Sequence, residues 1–221
     1  MPDPERLPDG DPAPPLPESI VAWIVDGALD APLAATVWLL AEGGVPVVVA
    51  SRDPTIGASL AEALDTFGRP PALLSVFPHL LEAGSLEEVQ ARLAEPPHAI
   101  TEDAIRSVGV VLVLRGLADG RRRVVAAHYV RPLEQDAHGH VQRRPPALLA
   151  AWDADADRFD DYAWGITAEL AGRAGREPAA FELARADRAR LLETMAEAGV
   201  SAPEEVAAAV LTAGRAPLPK H

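Results

Sequence analysis

The chain has 221 residues, enough for one good core and a small appended subdomain but hardly for two full domains. A formal net charge of -13 argues against nonspecific binding to DNA, RNA or anionic lipid over the surface as a whole, and the absence of cysteine excludes disulfides, thiolate zinc sites and thiol nucleophiles. Hydrophobic residues make up 48%, yet no apolar run approaches the roughly 20 residues needed to cross a bilayer and no signal-peptide pattern is present, so a soluble, cytoplasmic protein without membrane insertion is expected.

Met1 to Pro17 is dense in proline and acid with no periodic apolar face, and reads as an extended arm, residues 1-17. Ile20, Val21, Trp23 and Ile24 predict a short helix stopping at Gly27. Asp30 then caps a second helix through Val37 and Leu40 that ends at Gly43-Gly44. Val45 to Ala50 is apolar on consecutive residues, the pattern of a central strand covered on both faces. A loop follows, then a helix expected to start at Gly57-Ala58-Ser59 and to run on through Leu60 to Phe67.

Ala72 to Phe77 is a candidate second strand. Ser85 with Glu88 forms a capping box for a helix carrying Leu86, Val89 and Leu93, which Pro96-Pro97 ends, and Thr101 opens a short helix through Ile105. Val108 to Arg115 and Arg121 to Val130, joined at Asp119-Gly120, read as a hairpin, since glycine supplies the positive φ such a turn demands. Asp136 to Pro146 is a polar loop. Ala147 to Trp152 leads into a turn at Asp153 to Asp157, ahead of Phe159 and Tyr162. Helices at Ile166 to Ala174, Pro178 to Ala198 and from Ser201 to about Ala213 complete the chain. The expected division is a core at 18-165, a C-terminal helical subdomain at 166-214 and a tail at 215-221.

The segment from Gly43 to Leu60 has the layout of a nucleotide-binding P-loop, an apolar strand running through a loop into a helix. That motif asks for glycine, four residues, glycine, lysine and serine or threonine; here the first glycine is Arg52 and the lysine is Ala58. One reading keeps a phosphate cradle of backbone N–H groups over Pro54, Thr55, Ile56, Gly57, Ala58 and Ser59, with Ser59 near a magnesium. The other is a plain strand-loop-helix connection. Losing the lysine removes a charge-assisted contact to phosphate, and Asp53 puts negative charge where phosphates would sit, which favours the second reading.

Ser19 to Ala35 (SIVAWIVDGALDAPLAA) with Trp38 to Ala50 (WLLAEGGVPVVVA) resembles the opening of the ATPase domain of the type II and type IV secretion ATPases, the superfamily that also powers type IV pili and archaeal flagella. Gly84 to Leu93 (GSLEEVQARL) with the hairpin at Val110 to Val125 is similar to a helix and hairpin downstream of that family's catalytic core. Trp152 to Phe159, and Arg188 to Val200 with Pro203 to Ala207, are similar to the tail of its archaeal-type members. The three matches follow the family's order. The resemblance implies an α/β fold, a truncated RecA-like P-loop core with a β-hairpin and a C-terminal helical appendage. It also implies lost catalysis: the acidic catalytic strand, the Walker B strand and the histidine boxes have no room between Ser59 and Gly84, and the large N-terminal domain has no counterpart.

Other chemistry is weaker. Asp153, Asp155 and Asp157 alternate like the start of a calcium loop, but the sixth position is Arg158 and the twelfth is Trp164, so the motif fails. His138 and His140, with His128 nearby, lack a third ligand at a helical spacing. Ser51, Ser59, Ser75 and Ser85 sit in no G-x-S-x-G elbow, and the four tryptophans read as core or interface anchors. Arg121, Arg122 and Arg123, with Arg115 and Arg131, form a basic patch that reads as a solvated hairpin edge or as a site for a partner or internal salt bridges, the first slightly favoured. No catalytic or metal-binding residue is assigned. The expectation is therefore a pseudo-ATPase: a non-catalytic scaffold or regulatory subunit that binds proteins, secretion or pilus components or copies of itself, and no nucleic acid. No cofactor is expected, ATP with Mg²⁺ binding only if the degenerate loop keeps its shape. The alternatives are a nucleotide-binding ATPase with a variant Walker A loop and an unrelated α/β binding module.

Overall fold

The computed structural model describes residues 15-68, 77-135 and 140-215. Helix α1 (Ile20–Val25) is capped by the Ser19 hydroxyl, which accepts from the Ala22 N–H at 3.1 Å, and α2 (Ala31–Glu42) by Asp30, which accepts from the Leu33 N–H at 2.9 Å. Ten of the twelve residues of α2 are buried, so this is a core helix and not an amphipathic surface one. The apolar run that follows forms β1 (Val47–Ser51), with Val48 and Ala50 facing one side of the sheet and Val47 and Val49 the other.

Helix α3 (Pro54–Leu64) leads through a short 3-10 turn at Asp65–Phe67, and the strand that pairs with β1 is β2 (Leu80–Leu81). The strand expected at Ala72 to Phe77 lies outside the described residues except for Phe77, which sits buried at a bend. Helices α4 (Leu86–Ala94) and α5 (Glu102–Ile105) then lead to the hairpin of β3 (Val110–Gly116) and β4 (Arg122–Tyr129). Its turn carries Gly120 at φ +82°, as the sequence requires.

The polar loop expected at Asp136 to Pro146 contains β6 (Val141–Gln142), which pairs with β5 (Glu134–Gln135) just ahead of it; residues 136-139 lie outside the description. Strands β7 (Ala147–Asp153) and β8 (Arg158–Asp161) extend the main sheet. Helices α6 (Thr167–Arg173), α7 (Pro178–Glu197) and α8 (Pro203–Arg215) follow.

The fold is α/β. The six-stranded sheet runs β2-β1-β3-β4-β7-β8, parallel across β2, β1 and β3 and antiparallel from β3 onward. The chain leaves β1 in one direction to make β2 and then crosses back over β1 to make β3. Crossovers of one hand that move in opposite directions must use opposite faces of the sheet. Accordingly α3 packs Leu60, Ala63 and Leu64 into one core, and α4 packs Leu86, Val89 and Leu93 into the other. The first core is the larger: α1, α2, α6, α7 and α8 all contribute to it, so residues on both sides of position 165 share one apolar cluster. Among the described residues no helix is long and apolar enough to cross a membrane.

Candidate functional site at the carboxyl ends of the parallel strands

In a doubly wound sheet, ligands bind outside the carboxyl ends of the strands where successive connections diverge, and here that point lies between β1 and β3. It gathers Ser51 at the end of β1, Arg52 and Asp53 just after it, Gly84 and Ser85 after β2, Glu88 on α4 and Arg115 near the end of β3.

The segment with the P-loop layout falls at this point, and the structure corrects where its helix begins. Pro54, Thr55, Ile56, Gly57, Ala58 and Ser59 are the first six residues of α3, not a loop ahead of it. Asp53 at the N-cap and proline at the first helical position are the residues that start a helix most readily, and only Arg52 and Asp53 separate it from β1. One oxygen of the Asp53 carboxylate accepts from the N–H groups of Thr55 at 2.9 Å and Ile56 at 3.1 Å, and the Gly57 N–H bonds the Asp53 carbonyl at 3.0 Å. The donors a phosphate would need are held by a carboxylate. Ser59 donates its hydroxyl to the Pro17 carbonyl at 2.6 Å, Ala58 is exposed, and Gly57 is buried against β1 and β2. A Cβ on Gly57 would come within 2.5 Å of the Leu80 Cδ1 and 2.9 Å of the Ser51 Cβ, so this glycine permits close packing of helix on sheet.

Across the crevice, α4 is closed in the same way. Glu88 accepts from the Gly84 N–H at 2.8 Å with one oxygen and from Arg52 Nη2 at 2.5 Å with the other, while its own N–H donates to the Ser85 hydroxyl at 3.3 Å. Arg115 donates to the Gly84 carbonyl at 3.1 Å. The Glu87 backbone N–H and the Ser85 hydroxyl hold the neighbouring Glu87 carboxyl below its ordinary value. Three carboxylates, Asp53, Glu87 and Glu88, therefore stand with two guanidiniums, Arg52 and Arg115, at two helix N-termini. The helix ends are already neutralised by acids of the chain itself, which leaves little field to attract a second anion.

The three consecutive arginines do not form an exposed patch. Arg122 and Arg123 are only 4% and 6% exposed. Arg122 donates to the Pro15 carbonyl at 3.2 Å and stands 3.5 Å from an Asp26 carboxylate oxygen. Arg123 donates to the carbonyls of Asp26 and Arg122 and to Asp157, with its guanidinium 5.7 Å from the Trp152 ring centre. Arg121 is the surface member and pairs with Asp119 and Asp157. The segment at Asp26 to Ala28 runs beside the start of β4, where the Val124 N–H donates to the Ala28 carbonyl at 2.7 Å, and this approach buries the arginines.

Comparison of the sequence with protein-family models and with curated proteins finds no significant match.

Among the described residues no group of three or more histidines or acids is placed to hold a metal. Asp153 caps its own turn by accepting from the Asp155 and Ala156 N–H groups, and Asp157 is bound to Arg121, Arg123 and the Trp152 indole. His128 lies on β4, where burial holds it below its ordinary value, and His138 lies outside the described residues. Of the site, the sequence exposes the Ser85-Glu88 capping box and the missing lysine. It gives no sign that Glu88 also reaches Arg52, 36 positions away, because that contact exists only once β1 and α4 are brought together by the crossover.

Proposed function

We propose that this protein is a non-catalytic, cytoplasmic scaffold or regulatory subunit that acts by binding other proteins, on a truncated RecA-like layout related to the secretion ATPases. One observation carries the reading. The first-turn amides of α3, where a P-loop protein would hold phosphate, are capped by Asp53. A nucleotide would have to displace that carboxylate and accept its repulsion, without a lysine to compensate.

Titration calorimetry with ATP and Mg²⁺ tests it. No saturable heat is expected, and Ala58→Lys gains none, because the added charge sits on an exposed helical position beside donors already in use. Saturable micromolar binding, or ATP hydrolysis above background that Ser59→Ala abolishes, overturns the reading.

A second reading, an α/β binding module without ATPase ancestry, is favoured by the 2-1-3 order of the parallel strands, which doubly wound sheets of other ligand classes also use. Co-purification with pilus or secretion components supports the first reading over the second.

A further inference from the structure

Strand β8 is the last of the six, and among the described residues no strand pairs with its outer edge. Its ladder with β7 matches Ala151 with Asp160, Trp152 with Phe159 and Asp153 with Arg158, and just beyond it the Tyr162 N–H donates to the Leu149 carbonyl at 2.8 Å. Hydrogen bonding alternates along an antiparallel strand, so Arg158, Asp160 and Tyr162 turn their backbone groups toward β7 while Phe159 and Asp161 turn theirs outward. Phe159 packs on the large core, and Arg158 and Asp160 share the opposite face, where they pair with each other at 3.3 Å with side chains 67% and 36% exposed. The two residues that follow nearby, Tyr162 and Trp164, are 43% and 73% exposed, the latter the most exposed large apolar side chain described.

We propose that this edge binds a second copy of the chain, β8 against the partner's β8 in antiparallel, with Phe159 on the two-fold axis. In that register the outward N–H and C=O of Phe159 bond those of the partner's Phe159, and Arg158 stands opposite the partner's Asp160, twice by symmetry. These are non-hydrogen-bonded positions, where side chains come closest. Other registers that keep outward groups facing one another do worse. Moving the axis to Asp160 sets Asp160 against the partner's Asp160, and moving it to Asp161 sets Asp161 against the partner's Asp161, like charges that oppose pairing. The sequence Arg158-Phe159-Asp160 is thus complementary to itself in one register, in which the ion pair made within each strand is exchanged for two across the seam. The pairing makes one continuous sheet of both copies, as isologous two-fold contacts allow.

This deepens the scaffold reading, on which it rests, by naming a second copy as one partner. Light scattering coupled to size exclusion, with sedimentation across the micromolar range, is expected to give a dimer. Arg158→Asp and Asp160→Arg each raise the dissociation constant about tenfold or more, and the double swap Arg158→Asp/Asp160→Arg restores it, with circular dichroism unchanged throughout. Because the chain has no cysteine, Arg158→Cys/Asp160→Cys should oxidise to a covalent dimer whose disulfides, mapped by peptide mass, join position 158 of one copy to position 160 of the other; a 160-to-160 link would overturn the register. A monomeric wild type, a dimer indifferent to either reversal, or reversals that the swap does not rescue overturns the proposal. A monomeric wild type that also gives no heat with ATP removes the pairing and leaves the scaffold reading standing.

Discussion

Arg188 of α7 donates to both carboxylate oxygens of Glu42 at the end of α2, at 2.9 and 2.7 Å, while its guanidinium lies 4.8 Å from the centre of the Trp38 ring. Glu42 also accepts from the Trp38 indole at 2.7 Å and from Arg176 at 3.2 Å, and Trp38 stacks on Phe67. One carboxylate therefore ties α2, the α6-α7 connection and α7 together. Glu42→Gln leaves the Arg188 side chain, 9% exposed, without its counter-charge. Fully buried pairs broken this way lose about 3-5 kcal/mol; the partial exposure of Glu42 lowers the expectation to about 2-3 kcal/mol. Thermal unfolding should show a midpoint lower by about 4-12 °C, and a change below about 2 °C would contradict the account.

The three consecutive arginines at and just before the start of β4 should separate cleanly by burial. Arg121 lies on the surface, and Arg121→Ala is expected to leave the urea midpoint close to that of wild type. Arg123→Ala removes donors to Asp26, Arg122 and Asp157 and the cover over Trp152, and is expected to cost about 2-4 kcal/mol. Urea unfolding of both variants measures the difference. Equal costs would mean that the interior contacts of Arg123 do not form.

Gly109 precedes β3 at φ +78°, and a Cβ there would meet the Val45 Cγ1 at 2.5 Å and the Pro46 carbonyl oxygen at 2.6 Å. The second of these is backbone and cannot rotate away. Gly109→Ala should therefore combine backbone strain with overpacking and cost about 2-4 kcal/mol. Hydrogen exchange at the Val110 amide, which donates to the Pro46 carbonyl at 2.9 Å, should accelerate first. Unchanged exchange there would argue against a tight junction between β1 and β3.

Burial raises the Asp30 carboxyl above its ordinary value of 3.8, against the lowering effect of the Leu33 N–H; Asp161 adds to the rise and Arg185 opposes it. A folded value above the unfolded one means that the group's favourable contribution is complete below the unfolded value and is lost as pH rises through the folded one. At neutral pH the charged Asp30 thus opposes folding while its cap supports it. Asn keeps the cap without the charge, so Asp30→Asn should equal or exceed wild-type stability at pH 7, with the gap shrinking toward pH 4. Asp30→Ala should lose about 1 kcal/mol. Urea titrations from pH 4 to 7 test this, and an Asp30→Asn variant less stable than wild type by a constant amount across the range would contradict it.

How far the sequence carries can be seen at particular residues. Asp30, Ser85 and Thr101 each cap the helix they precede, because capping is a contact across three residues that the local sequence specifies. The hairpin of β3 and β4 was legible for the same reason. The start of α3 was not: a motif aligned on Gly57 and Ser59 drew the boundary to those residues, whereas Asp53 and Pro54 open the helix three positions earlier. Strands β7 and β8 also escaped, since Ala147 to Asp153 mixes alanine with leucine and gains its strand identity from pairing with β4.

By itself the sequence determined the apolar strand, the capped helices and the hairpin, all properties of short windows in which propensity and local hydrogen bonding dominate, and it places Ala58 where the P-loop motif asks for lysine. Only the tertiary structure decided that Arg122 and Arg123 are interior, that Glu88 closes on Arg52, that α6 to α8 share a core with α1 to α3, and that β8 stands at the edge of the sheet. The first three of those outcomes depend on contacts distant in sequence, such as Arg52 with Glu88, 36 positions apart, and Ser19 with Ser201, 182 apart, and the last on the order in which the strands pair. Burial and ion pairing are properties of that arrangement, and the same arginine is a surface charge or a core strut according to which segment passes over it.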